Sequence, residues 1–240
     1  MYSLIFYSHS DYSDAWGPMF GQTDKYFDAS FEKYLFVNSG NHDVPDGWRV
    51  IEYDDSLPYQ SRIVSCLKQL PKDKIVVFHH EDMFLYNEPD FEALDRVYTK
   101  ISSEKINFIK LGKASYTPEK PLYHLEDEIY HCPFDLLFAI QPTMCKVRDI
   151  QIIYEQTPGN NIWEFEVNSN ITCMKNGFVC CLTSKDEEEK IGMFHWESLT
   201  YPYFATAIVK GKWNTEDYAK QLELIFDEYS IDPTMRGVNA

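Results

Sequence analysis

Ile75-Val76-Val77-Phe78 runs directly into His79-His80-Glu81-Asp82, and then into Met83-Phe84-Leu85-Tyr86. Four β-formers in a row predict a buried strand of a parallel sheet. The acidic pair then stands at the carboxyl end of that strand, where open α/β sheets build their ligand sites. Two adjacent carboxylates beside two imidazoles are costly to bury without a cation or a hydrogen-bonded partner.

On either side the chain alternates. Ser3 to Ser8 reads as a strand, followed by a polar loop, His9-Ser10-Asp11-Tyr12-Ser13-Asp14, and a weak helical pattern through Trp16, Phe20 and Tyr26-Phe27. Tyr34-Leu35-Phe36-Val37 is a second strand, closed by Asn38-Ser39-Gly40, and Trp48-Arg49-Val50-Ile51 a third. Pro58 opens a helix whose apolar face is Ile63, Leu67 and Leu70. Phe91, Leu94, Val97, Tyr98 and Ile101 form a helical stripe, and Ile106 to Leu111 a fifth strand. Strand alternating with helix is the pattern of an α/β fold with a parallel sheet. The second half is less regular: strand for Phe134 to Ile140, helix for Met144 to Tyr154, helix for Asn161 to Met174, strand for Gly177 to Leu182 and helix for Trp213 to Tyr229, capped by Asn214 or Thr215. The charge run Ser184 to Lys190 reads as a solvated loop. With no linker, repeat or low-complexity tract, 1–240 reads as one domain.

Bulk properties narrow the function. The 240 residues are 44% hydrophobic and 16% aromatic, enough for a substantial core. The net charge of -16, from 38 acidic and 22 basic residues, argues against nucleic acid and against an anionic membrane surface as partner. Six scattered cysteines show no CxxC spacing, so no structural zinc site is expected, and Cys180-Cys181 read as buried thiols. There is no basic leader segment and no long apolar run, so a cytoplasmic location with no membrane span is the expectation.

Three constellations can carry chemistry. Glu81 and Asp82 suit a hard divalent cation, Mn²⁺ or Mg²⁺, that neutralises a diphosphate; the plain alternative is an acidic turn bonded to the next helix. Gly159-Asn160-Asn161-Ile162-Trp163-Glu164-Phe165-Glu166 places two carboxylates on different faces of a helix, so at most one points into a site. A carboxylate held beside Trp163 has the restricted solvation that suits a general base, although a helix N-terminus favours acids in any case. Lys210-Gly211-Lys212 forms a basic turn able to hold a phosphate. Lys110, near the end of the fifth strand, is a further anion contact, and Asp11, Tyr12 and Asn38 face the same sheet edge. Asp54-Asp55 is a rival acidic pair whose simpler role is to cap the helix that follows. GxSxG, Walker and GxGxxG patterns are missing from the sequence.

The S-x-S-D-Y-S-D-x-W loop after the first strand, HHEDMFLY, N-x-W-E-F-E and K-G-K-W together resemble small GT-A-type glycosyltransferases of bacterial surface-polysaccharide loci and large viruses, over most of the chain. The resemblance implies a single Rossmann-like GT-A domain with mostly parallel central strands and flanking helices. Residues 1–115 would form the nucleotide-sugar-binding half and 116–240 the acceptor-side half. It implies transfer of a sugar from a nucleotide-diphosphate donor to a glycan or glycoconjugate acceptor. The family's metal-binding D-x-D is replaced here by Glu81-Asp82-Met83, so Asp82 is the best counterpart and Glu81 the second. Glu164 or Glu166 would be the base of an inverting member, with Trp163 stacking on a sugar ring. A non-catalytic nucleotide- or glycan-binding module is the competing class, and a metal-dependent phosphohydrolase or nucleotidyltransferase a second enzymatic one.

Overall fold

Strand β1 (Ser3–Tyr7) lies between β2 (Lys33–Asn38) and β4 (Ile75–His80) and pairs with both in parallel, with β3 (Trp48–Tyr53) beyond β2. Every residue of β1 is buried, as a strand covered on both faces requires. The computed structural model describes residues 1–103, 105–113, 122–159, 161–192 and 195–239. Asn160 and the 115/116 boundary between the two expected halves lie outside them.

Among the described residues the sheet has nine strands, in the order β3-β2-β1-β4-β8-β5-β9-β7-β6. Its other members are β5 (Phe108–Lys110), β6 (Tyr123–Glu126), β7 (Ile129–His131), β8 (Thr143–Lys146) and β9 (Cys180–Thr183). Only β7 and β8 run against the rest. The expected α/β class with mostly parallel strands is what the chain adopts, and strands from both halves share the one sheet.

Alternation along the strands builds two cores. Leu4, Phe6 and Val77 face α1 (Trp16–Tyr26), α3 (Phe91–Ser102) and α6 (Thr215–Tyr229). Ile5, Val76 and Phe78 face α2 (Tyr59–Leu67), α4 (Val147–Gln156) and α5 (Ile162–Lys175). Asp90 caps α3 by accepting the Ala93 N–H at 3.0 Å, and Asn214 caps α6 as expected. Gly21 marks where α1 meets α6. A Cβ there would lie 2.2 Å from the Tyr229 ring. Gly21→Ala is therefore expected to cost about 1–3 kcal/mol by displacing the Tyr229 ring from α1 and breaking the bond that Gln22 Nε2 donates to its hydroxyl, read as a fall in Tm.

Three sequence expectations are corrected. Phe134–Ile140 is an irregular loop, although Leu137, Phe138 and Ala139 are buried. Side chains satisfy its backbone instead of a neighbouring strand: Asn170 Oδ1 accepts the Leu137 N–H, Glu166 Oε1 accepts the Ile140 N–H, and Lys110 Nζ donates to the Leu136 carbonyl. Met144–Tyr154 is divided into β8 and α4. Residues 143–146 are fully enclosed between β4 and β5, and that central slot overrides helical propensity. The charge run 184–190 is also only partly solvated, because Glu188 is buried against Lys113 at 3.0 Å.

Candidate functional site

Register places the site. Tyr7 pairs with both Phe36 and His80, and Asn38 with Tyr53, so β1 to β4 end level at one edge. The loops leaving that edge converge. Asn38 Oδ1 accepts the Ser10 N–H at 2.8 Å, and Asn38 Nδ2 donates to Ser10 Oγ at 3.0 Å. Tyr53 Oη donates to the Ser8 carbonyl at 2.7 Å. Asn38 thus fixes the loop that carries Asp11 and Tyr12. Beside it, Ser10, Ser13, Trp16, Phe20 and His42 line a groove of about 680 Å³, within the range of small-molecule sites.

The imidazoles before the acidic pair are structural. His79 is buried, stacked on Phe6 with ring centroids 4.3 Å apart. Its Nδ1 lies 3.2 Å from the Ile5 carbonyl, which can only accept, so Nδ1 carries the proton and Nε2 accepts from Tyr201 Oη at 2.7 Å. Burial lowers its pKa to about 3, and that of His80, bonded to Tyr59 Oη, to about 4.

The carboxylates shift the other way. Burial, reinforced by the Asp82 charge, holds the Glu81 carboxyl well above its usual range. Burial pushes Asp82 up to about 7, against the opposing pull of the Ile208 N–H and of Arg236. The Asp82 carbonyl also accepts the Ala207 N–H at 3.0 Å, which joins it to the hairpin of β12 (Ile208–Val209) and β13 (Lys212–Trp213), the strands following the short pair β10 (Lys190–Ile191) and β11 (His195–Trp196). The turn of that hairpin is Lys210-Gly211, with φ of 50° and 77°, the two left-handed residues of a type I′ turn. Lys210 and Lys212 are exposed there.

Arg236, on the four-residue helix α7 (Pro233–Arg236), closes the arrangement. Its guanidinium forms a two-pronged pair with Asp14, with Nε at 2.7 Å from Oδ2, and donates to the Gly211 carbonyl at 3.3 Å. It lies 5.1 Å from the Tyr12 ring centre and acts electrostatically on both Glu81 and Asp82. No sequence motif marks Arg236, which stands 222 residues from its Asp14 partner.

Asp11, Tyr12, Asn38, Glu81, Asp82, Lys210 and Lys212 are therefore carried to one edge. Lys110 is fully buried and donates to Leu136 O at 2.5 Å. Glu166 accepts the Ile140 N–H at 2.7 Å, and its carboxyl is raised by burial despite that bond and the nearby Lys110. Glu164 and Trp163 are exposed on α5, on the side turned from the sheet. The rival pair does not cap α2, whose N-cap is Pro58. Asp54 Oδ1 instead accepts the Ser56 N–H at 2.9 Å, and Asp55 pairs with Arg62 at 2.8 Å and His9 at 3.1 Å.

Among the described residues no three His, Cys, Asp or Glu side chains cluster closely enough to hold a metal alone. Two carboxylates do suit Mg²⁺ or Mn²⁺ when substrate phosphates supply the remaining oxygens. No described helix is long and apolar enough to cross a membrane.

No family model and no curated protein matches the chain. Among solved structures it is similar to UDP-glucose pyrophosphorylase complexed with UDP-glucose, at 8% identity and a TM-score of 0.54, covering 95% of this chain and 100% of that one. An apo UDP-glucose pyrophosphorylase matches at 9% identity and a TM-score of 0.51, covering 95% and 99%. A Francisella tularensis 2-C-methyl-D-erythritol 4-phosphate cytidylyltransferase matches at 13% identity and a TM-score of 0.48, over 80% and 94%. At these identities the likeness is one of fold: the chain has an α/β architecture with a large, mostly parallel central sheet and flanking helices, like that of UDP-glucose pyrophosphorylase.

Proposed function

We propose that this chain is a transferase that binds a nucleoside-diphosphate sugar at the carboxyl edge of β1 to β4 and passes the sugar to a glycan or glycoconjugate acceptor. The supporting observation is the Glu81–Asp82 pair, Glu81 buried and Asp82 partly so, held where the strands end and within the electrostatic reach of Arg236. Such a pair is stable as a dianion only with added positive charge. A divalent cation bound by Asp82, with Glu81 beside it, would supply that charge and neutralise the leaving diphosphate. The chain's own contribution is placement. Asn38 holds the Ser10–Tyr12 loop beside the nucleoside groove, Arg236 sits over Tyr12 toward the diphosphate, and the Lys210-Gly211-Lys212 turn adds positive charge on the same side.

Nucleotidyl transfer is the second reading, favoured by the fold likeness to UDP-glucose pyrophosphorylase. Charge argues for the first. Residues 8–16, which follow β1, contain Asp11 and Asp14 but neither Lys nor Arg, a poor cradle for a triphosphate.

A thermal-shift series of UDP, GDP, CDP and dTDP and their sugars, with and without Mn²⁺, tests the reading. One diphosphate is expected to stabilise the protein in a metal-dependent way, and Arg236→Gln to weaken it about tenfold while leaving nucleoside binding unchanged, the loss of one charge-assisted contact. No shift with any diphosphate would sink the proposal. Pyrophosphate release from a nucleoside triphosphate and a sugar 1-phosphate would replace it with nucleotidyl transfer, and binding without transfer or donor hydrolysis would make the chain a binding module.

A further inference from the structure

Helix α5 is amphipathic in an unusual sense, because both of its faces are apolar. Phe165, Ser169, Thr172 and Cys173 are buried, Phe165 among the rings of Tyr59, Phe138 and Tyr154 and Thr172 bonded to Thr157. On the opposite face Trp163, Val167, Ile171 and Met174 are 71%, 68%, 47% and 53% exposed. Their spacing of four, four and three places them in one stripe along the helix. Isolated exposed apolar side chains need no explanation, but a continuous row of four does. The loop that borders the stripe, tied to α5 through Asn170 and Glu166, carries Phe134 at 82% exposure.

The row has an internal symmetry. Reversed end for end, Trp163 falls on Met174 and Val167 on Ile171, about a midpoint near residue 169. Glu164 and Lys175 lie together along one edge of the stripe, near its opposite ends. In two antiparallel helices packed face to face, equivalent edges meet, so Glu164 of one copy faces Lys175 of the other, twice. Asn168 and Asn170, the polar residues at the midpoint, already donate to the Pro158 and Glu166 carbonyls, so no amide at the centre has to give up water.

We propose that the outer face of α5 is a two-fold interface between two copies of this chain. An isologous contact needs a surface complementary to itself, and this stripe is, in shape order, polarity and charge. Trp163 packs against the partner's Met174 as a ring–thioether contact, Val167 packs against the partner's Ile171, and the Glu164–Lys175 pairs close the edge. One helix pair with the flanking Phe134 loops falls at or below the ~1,200 Å² end of specific interfaces, which gives a dissociable dimer of about micromolar Kd. The inference concerns assembly and stands whether or not the proposed reaction is correct.

Sedimentation velocity from about 1 to 100 µM decides it. The full chain is expected to pass from monomer to dimer across that range. Val167→Glu and Ile171→Glu are expected to remain monomeric throughout, with unchanged Tm because both side chains are exposed. Lys175→Glu alone is expected to weaken dimerisation about tenfold, and Glu164→Lys with Lys175→Glu to restore it. A monomer at 100 µM overturns the proposal, as does a dimer that survives Val167→Glu. Adsorption of monomer to neutral phosphatidylcholine vesicles, abolished by Val167→Glu, would reassign the stripe to a lipid surface.

Discussion

Asp82→Asn is expected to raise the stability of the ligand-free protein at pH 8 while abolishing its response to a metal–nucleotide complex. The direction follows from the proton balance. Folding raises the Asp82 pKa from its ordinary 3.8 to about 7, so the folded chain holds a proton that the unfolded chain releases. Between pH 4 and 7 stability therefore falls as pH rises, and above 7 the penalty of a partly buried anion is complete. Asparagine carries no such penalty. Because Asp82 is partly solvated, the gain is expected to be only about 1–2 kcal/mol, a Tm rise of about 2–8 °C at pH 8, shrinking to nothing near pH 4. His79 and His80 act in the opposite sense, since their lowered pKa values remove stability as pH falls below about 6.5. The difference between variant and wild-type Tm at each pH, not either curve alone, isolates Asp82. In the presence of ligand the order reverses. The wild type gains about 2.7 kcal/mol at a ligand concentration of ~100 Kd and the variant gains nothing, with transfer falling about 10²–10³-fold. A variant destabilised at every pH would show that Asp82 is instead a structural turn residue.

The largest loss of stability is expected from Glu188→Ala. Glu188 and Lys113 are both buried, 3.0 Å apart, with the ammonium 4.4 Å from the centre of the Trp196 ring. Glu188 Oε1 also accepts the Leu199 N–H at 3.1 Å. Removing the carboxylate strands a buried ammonium and an amide, at a cost of about 3–5 kcal/mol. Replacing both partners, Glu188→Leu with Lys113→Met, is expected to recover most of that, because no charge is left uncompensated. The urea midpoints of the single and double variants measure it. A single variant within 1 kcal/mol of wild type would show that the pair is solvated.

The acidic pair and the strands around it were legible because their signals are local. An apolar run buried on both faces, followed at once by Glu81-Asp82, needs nothing distant to be read. Asn38 and the Ser10–Tyr12 loop followed from the same rule about strand ends. Arg236 was not legible, because only the folded chain brings it to Asp14. The strand end predicts an anion contact for Lys110, yet Lys110 Nζ donates to Leu136 O, on a loop where the sequence predicts a strand. That loop misled for a physical reason. Burial marks the apolar residues of Leu137 to Ala139, but the hydrogen bonds that permit an irregular backbone there come from Asn170, Glu166 and Lys110. Glu188 was hidden in the same way, since a run of acids looks solvated until Lys113 arrives from another segment.

The insertion of β8 between β4 and β5 orders the assembly of the sheet in time. Strands β1 to β4 are joined by near-neighbour parallel crossovers and come entirely from the first 80 residues. Strand β5, although made next, has no partner in that group, because its place beside β4 is filled only when residues 143–146 arrive running the other way. Closure over such a span is slow compared with local pairing. The edge that carries the acidic pair is thus built first, and β4 keeps an open, aggregation-prone flank until the second half of the chain covers it.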